Sequence, residues 1–181
     1  KRSIKEITMS ISFYDASVGS YLQILGAVEG ILAIGATHAA DAGLDLQEIV
    51  MTRVHDDMMP LHFQVVSVAH HSWAAIQGLK EGEFSPPSFA LDLDYAGLQA
   101  RVTEAREGLA GLKEADVEAL ADKSMVFRLG KNELPFTNQN FVLSFSLPNF
   151  YFHATTTYDI LRSLGAPLGK MQFMGQMKMG A

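Results

Sequence analysis

Asn149 and His153 stand four residues apart, a spacing that stacks two side chains one above the other on a helix. Val142, Phe145, Thr156, Ile160 and Leu164 fall on the same stripe. An amide and an imidazole are thus directed into an apolar face, just past Pro148. Buried polar groups need partners, and a metal, a ligand or a neighbouring helix would each serve. A histidine satisfied inside the core is the plainer outcome of the same pattern.

His70 and His71 are the next candidates. Adjacent residues on a helix point about 100° apart, so only one of the two can face a given site. His70 shares a stripe with Phe63, Val66 and Trp73, which reads as a packed or interface position. His71 shares a face with Gln64 and Ser67, which reads as solvated. His62, His38 and His55 carry less weight. Asp57, three residues before Pro60, reads as organising a helix start, and Asp92 with Asp94 as a solvated pair.

Other chemistries are excluded. The chain has no cysteine, so a disulfide, a thiolate zinc site and a cysteine nucleophile are absent. Any metal would take nitrogen and oxygen ligands. The stretch from Gly165 to Lys170 has the outline of a phosphate loop but one residue too few between its glycines. It also follows a helix and continues with Met171 where Ser or Thr is required. Neither a His-Glu-x-x-His nor a Gly-x-Ser-x-Gly motif is present. With 14 basic against 20 acidic side chains the net charge is −6, which leaves no basic face for nucleic acid or an anionic membrane.

Four long helices must position these groups. The first runs over residues 13–40, with Ser12 as its cap and a stripe of Val18, Tyr21, Leu25, Val28 and Leu32. Residues 21–40 are apolar enough to suggest a membrane span, but Glu29 near the middle and the absence of an aromatic belt favour a buried helix. Gly26 and Gly30 would permit close approach of a neighbour. After a short helical turn over 45–50, the second helix opens at Pro60 and ends near Leu79. A loop over 81–92 leads to the third, over 95–112. A short helix over 114–120 and a β-hairpin over 125–136 precede the fourth, over 137–164. Pro148 should kink that last helix, and Gly165 with Pro167 ends it. The Met-rich tail beyond reads as loosely packed.

The expected fold is all-α, an up-and-down four-helix bundle with a small hairpin before the last long helix. It forms one domain over 9–175, with 176–181 a tail and residues 1–8 a leader or added segment. A length of 181 residues fits one domain with a sizeable core.

These residues carry a resemblance. Ser12-Phe13-Tyr14, the run from Asp57 to Leu61 with Gln64-Val65, and above all Leu147-Pro148-Asn149-Phe150-Tyr151-Phe152-His153 resemble a branch of the DinB/YfiT-like superfamily of metalloenzymes. Leu161-Arg162 and the Gly165 to Lys170 stretch extend it, so that it spans nearly the whole chain. The resemblance implies a four-helix bundle, often dimeric. It also implies a divalent metal on three histidines, one on the second helix and two as His-x-x-x-His on the last. Better-known relatives transfer low-molecular-weight thiols or isomerise substrates with thiol help.

Carried over residue by residue, Asn149 and His153 fall on the His-x-x-x-His positions, so the first histidine is replaced. The second-helix ligand is His70 under one alignment, and a shift of three residues puts Ser67 there instead. The expectation is a degenerate site for zinc, nickel or iron on His70, Asn149 and His153, with thiol-transferase-like or related chemistry. The alternative is a metal-free binding or interaction protein on the same scaffold. A cytoplasmic homodimer with a small-molecule ligand in its core completes the expectation.

Overall fold

The structure, a computed structural model, describes residues 11–179. The expected leader over 1–8 and the last residues of the tail lie outside them. Seven helices and a small sheet follow one another along the described residues. Helix α1 covers residues 13–42, α2 Leu46–Val50, α3 residues 61–81, α4 Tyr95–Ala110 and α5 Glu114–Glu118. Helix α6 covers residues 138–163 and α7 Lys170–Met174. Strand β1 is Glu83–Phe84, β2 Ser124–Leu129 and β3 Asn132–Thr137.

Helix starts follow the capping residues. The Asp15 amide donates to Ser12 Oγ at 2.9 Å, and the Gln47 amide to Asp45 Oδ1 at 2.8 Å. The Gly97 amide donates to Asp94 Oδ1 at 2.7 Å and the Asn140 amide to Thr137 Oγ1 at 3.2 Å. Asp94, read from sequence as one of a solvated pair, is therefore the cap of α4. Gly43 closes α1 in the left-handed conformation at φ 67°, where a side chain would strain the backbone.

Helix α1 packs on α4 and α6, and α3 packs on the same two, so the four long helices enclose one apolar core. Residues 15–42 are long and apolar enough to cross a membrane, yet 56% of the most apolar window is buried inside the fold. The close approach expected at Gly26 and Gly30 occurs at Gly35 instead. A Cβ there would lie 2.5 Å from Tyr95 Oη, whereas nothing lies within 4 Å of one at Gly30. Gly108 seats the indole of Trp73 in the same way, with a Cβ falling 2.8 Å from the ring.

Three of the long helices contain a π-turn: Asp15–Gly19 in α1, His70–Ala74 in α3 and Val142–Ser146 in α6. Such turns admit an extra residue and often mark functional sites. The last immediately precedes the helical turn containing Pro148, which has no backbone N–H to donate. Hydrogen bonds join the helices at this level. Ser146 Oγ donates to the His71 carbonyl at 2.6 Å, and Tyr21 Oη donates to Ser146 Oγ at 2.7 Å.

The expected hairpin is present, pairing Ser124 with Thr137 through Leu129 with Asn132. A parallel edge strand, β1, extends it to three strands, which the sequence reading did not foresee. The tail is better anchored than expected. Gln23 Nε2 donates to the Met174 carbonyl at 2.9 Å, and Gly175 lies against Ala27 of α1.

Candidate functional site, a histidine-floored cleft

Helix α3 carries Gln64, Ser67 and His71 at three- and four-residue steps, and all three are buried. This face packs on α6, which brings Asn149 and His153 to it. The solvated reading of His71 is thus corrected: the residue is 4% exposed. The polar stripe of one helix meets the polar pair of the other. Between them lies a cleft of about 200 Å³. Its walls are aromatic or proline: Phe63, Phe127 and Phe145, with Pro86, Pro87 and Phe89 from the segment 85–93, the strap.

The hydrogen bonds fix the proton positions. Gln64 Nε2 donates to the Met59 carbonyl at 2.7 Å. Its Oε1 therefore accepts, and His153 Nδ1–H is the donor at 2.7 Å. The same ring keeps Nε2 bare as an acceptor. His71 lies alongside with its plane 11° from that of His153 and its centre 5.8 Å away. His71 Nδ1 and Ser67 Oγ are buried with no protein partner. Asn149 Nδ2 donates to the Phe145 carbonyl at 2.7 Å, which leaves its oxygen free for the cleft.

Electrostatics keep both imidazoles neutral. Burial pushes His71 down to about 3, reinforced by the neighbouring His70 and His153. Burial pushes His153 down to about 4. At neutral pH the floor of the cleft holds two uncharged rings able to accept hydrogen bonds.

His70 is placed elsewhere. Its Nε2 donates to the Ser85 carbonyl at 2.7 Å, and its ring lines a second cavity of about 130 Å³ beside α4. Val66 and Trp73, its companions on the stripe, line that cavity too, under the strap residues Pro87 and Ser88. The histidine brought to His153 is His71. His62 is buried against the strap, His38 bonds the Leu164 carbonyl at 3.0 Å, and His55 forms an exposed pair with Asp57.

The donor chemistry does not fit the three-histidine centre that the resemblance implies. Two imidazoles, a serine hydroxyl and an amide oxygen border the cleft, with no carboxylate. Among the described residues, no three His, Asp or Glu side chains are grouped so as to hold an ion. Sequence reasoning singled out Asn149 and His153 and weighed Ser67, but it missed Gln64 and misplaced His71. The available signal was the recurrence of Gln64, Ser67 and His71 on one helical face.

A chain with a similar fold is known in three dimensions. The crystal structure at 1.83 Å resolution of a DinB family member from Shewanella denitrificans matches with a TM-score of 0.76. The two are 24% identical, and the match covers 93% of this chain and 94% of that one. The fold is therefore DinB-like. A family model described as a domain of unknown function, DUF1993, matches residues 13–174, and the chain belongs to that family. No curated protein matches it in sequence.

Proposed function

We propose that this protein binds a small, mostly apolar molecule through a hydroxyl or thiol group, in the cleft between α3 and α6. The observation that carries this reading is the bond from His153 Nδ1–H to Gln64 Oε1 at 2.7 Å. It leaves a bare Nε2 on a ring lining an aromatic cleft, beside a second neutral imidazole. An apolar pocket with a few convergent polar groups is the usual form of a small-molecule site. The absence of charged side chains from its walls favours a neutral ligand. The scaffold is read as a four-helix bundle, supported by the contacts of α1 with α4 and α6 and of α3 with the same two. The protein acts in the cytoplasm as a homodimer. The outer apolar residues Val54, Leu143 and Phe152, each more than half exposed, are what a second copy would cover.

Phenol and benzyl mercaptan are suitable probes, with toluene as the control that lacks a donor. Ligand-observed NMR should show both probes bound to wild type, weaker contact with toluene, and loss of the difference in His153→Phe. Equal signals from all three would sink the reading.

A second reading keeps a weakly held divalent ion, favoured by the partnerless His71 Nδ1. His71, Asn149 and His153 would be its donors. Elemental analysis of untagged protein incubated with zinc, nickel or iron separates the two: near-stoichiometric metal lost in His153→Ala favours the ion.

A further inference from the structure

The strap over residues 85–93 is held at each end by a histidine of α3. At the near end His70 Nε2 donates to the Ser85 carbonyl at 2.7 Å. At the far end the Leu93 amide donates to His62 Nε2 at 3.0 Å. The two fastenings are chemically opposite. A carbonyl only accepts, so the bond from His70 survives in both the neutral ring and the imidazolium. An amide only donates, so His62 must keep Nε2 bare. Between the fastenings, Phe89 is 64% exposed and stacks on Phe63 with ring centres 5.2 Å apart. Phe63 in turn meets His153 edge-on at 5.9 Å. Pro86 and Pro87 stiffen the segment and, with Phe89, wall the cleft.

We propose that the strap is a lid on the cleft, pivoting at His70 and unfastened at Leu93 when His62 takes up a proton. Protonation places an N–H against the Leu93 N–H, which removes the bond and opposes two donors. Phe89 then relies on its stack on Phe63. Burial keeps His62 neutral at pH 7, while the strap's own Asp92 favours its protonation. At the pivot, burial and Arg101 of α4 oppose the charged form of His70, and its bond to Ser85 favours it. The remaining titratable groups of the cleft, His71 and His153, are held neutral by burial down to about 3 and about 4. The site thus opens as pH falls below the ordinary histidine value.

This inference rests on the reading of the cleft as a ligand site, but its test needs no ligand. Hydrogen–deuterium exchange of the strap peptide, corrected for intrinsic rate and normalised to α6 peptides, should rise roughly tenfold between neutrality and about pH 5 in wild type, as loss of one such bond implies. His62→Gln, which retains an acceptor and cannot titrate, should abolish the rise. Phe89→Ala, an exposed change, should raise exchange at both pH values. A wild-type strap whose normalised exchange does not change with pH, or changes equally in His62→Gln, overturns the lid. Phenol failing to bind while the strap still opens overturns the ligand reading alone.

Discussion

The imidazole of His71 lies nearly parallel to that of His153, with 11° between the planes and 5.8 Å between the centres. One ring comes from the π-turn of α3, the other from α6 just beyond its own π-turn. Both are held neutral by burial, so the pair carries a pH signature. Their folded pKa values, about 3 and about 4, lie below the ordinary histidine value. Between that ordinary value and the folded ones, the unfolded chain binds protons that the folded one does not, and stability falls as pH falls. The effect is about 2 kcal/mol for each ring by about pH 5. Denaturant unfolding at neutral and acid pH should show this decline, and His71→Phe should flatten it. A stability curve that is unchanged over that interval would contradict the burial of the pair.

The tautomer of His153 depends on Gln64. In Gln64→Glu a carboxylate faces His153 Nδ1–H, so the imidazolium gains a counter-charge and titrates at higher pH than in wild type. NMR titration of the ring carbon protons reads this directly. The phenol probe should bind less well wherever His153 has become protonated, because Nε2 is then no longer an acceptor.

Of the glycines in α1, Gly35 has the least room for a side chain. A Cβ would lie 2.5 Å from Tyr95 Oη and 3.0 Å from Leu161 Cδ1. Gly35→Ala should displace the tyrosine from its bond to the Leu32 carbonyl, now 2.8 Å long, and destabilise the fold by about 1–3 kcal/mol. Gly30→Ala, with open space around it, is the matched control and should be neutral or slightly stabilising. Thermal melts of the two variants compare them.

Ser146 connects Tyr21 to the His71 carbonyl. Ser146→Ala leaves the buried Tyr21 hydroxyl without a partner, at a cost of about 1–3 kcal/mol. Tyr21→Phe in the same background should recover part of that loss. Full additivity of the two changes in a double-mutant cycle would show that the hydroxyls are uncoupled.

The long helices were legible because their apolar residues recur at helical spacing and their caps are ordinary ones. Ser12, Thr137 and the stop at Gly43 fall where helix chemistry places them. The π-turns were not legible. Each breaks the regular spacing within a continuous helix and leaves composition unchanged. Strand β1 has two residues, too few for an alternation to register. In the candidate site, Asn149 and His153 stood out as polar groups on an apolar stripe. Gln64, Ser67 and His71 formed a wholly polar stripe, which by composition alone resembles a wet surface. Only the packing of α3 on α6 reveals it as an interior face. His70 was preferred because one alignment with the resembled superfamily puts it at the second-helix ligand position, but its stripe with Val66 and Trp73 belongs to the other cavity.

Trp73 is the single tryptophan of the chain. Its indole rests on Gly108, under the strap residues Pro87 and Ser88, with the Lys80 ammonium 5.9 Å from the ring centre. Its emission therefore comes from one place, and that place borders the strap. Movement of residues 87 and 88 alters the polarity around the only fluorophore that absorbs at the red edge of the protein spectrum. The molecule carries a native optical gauge of its strap, readable in real time on unlabelled wild-type protein.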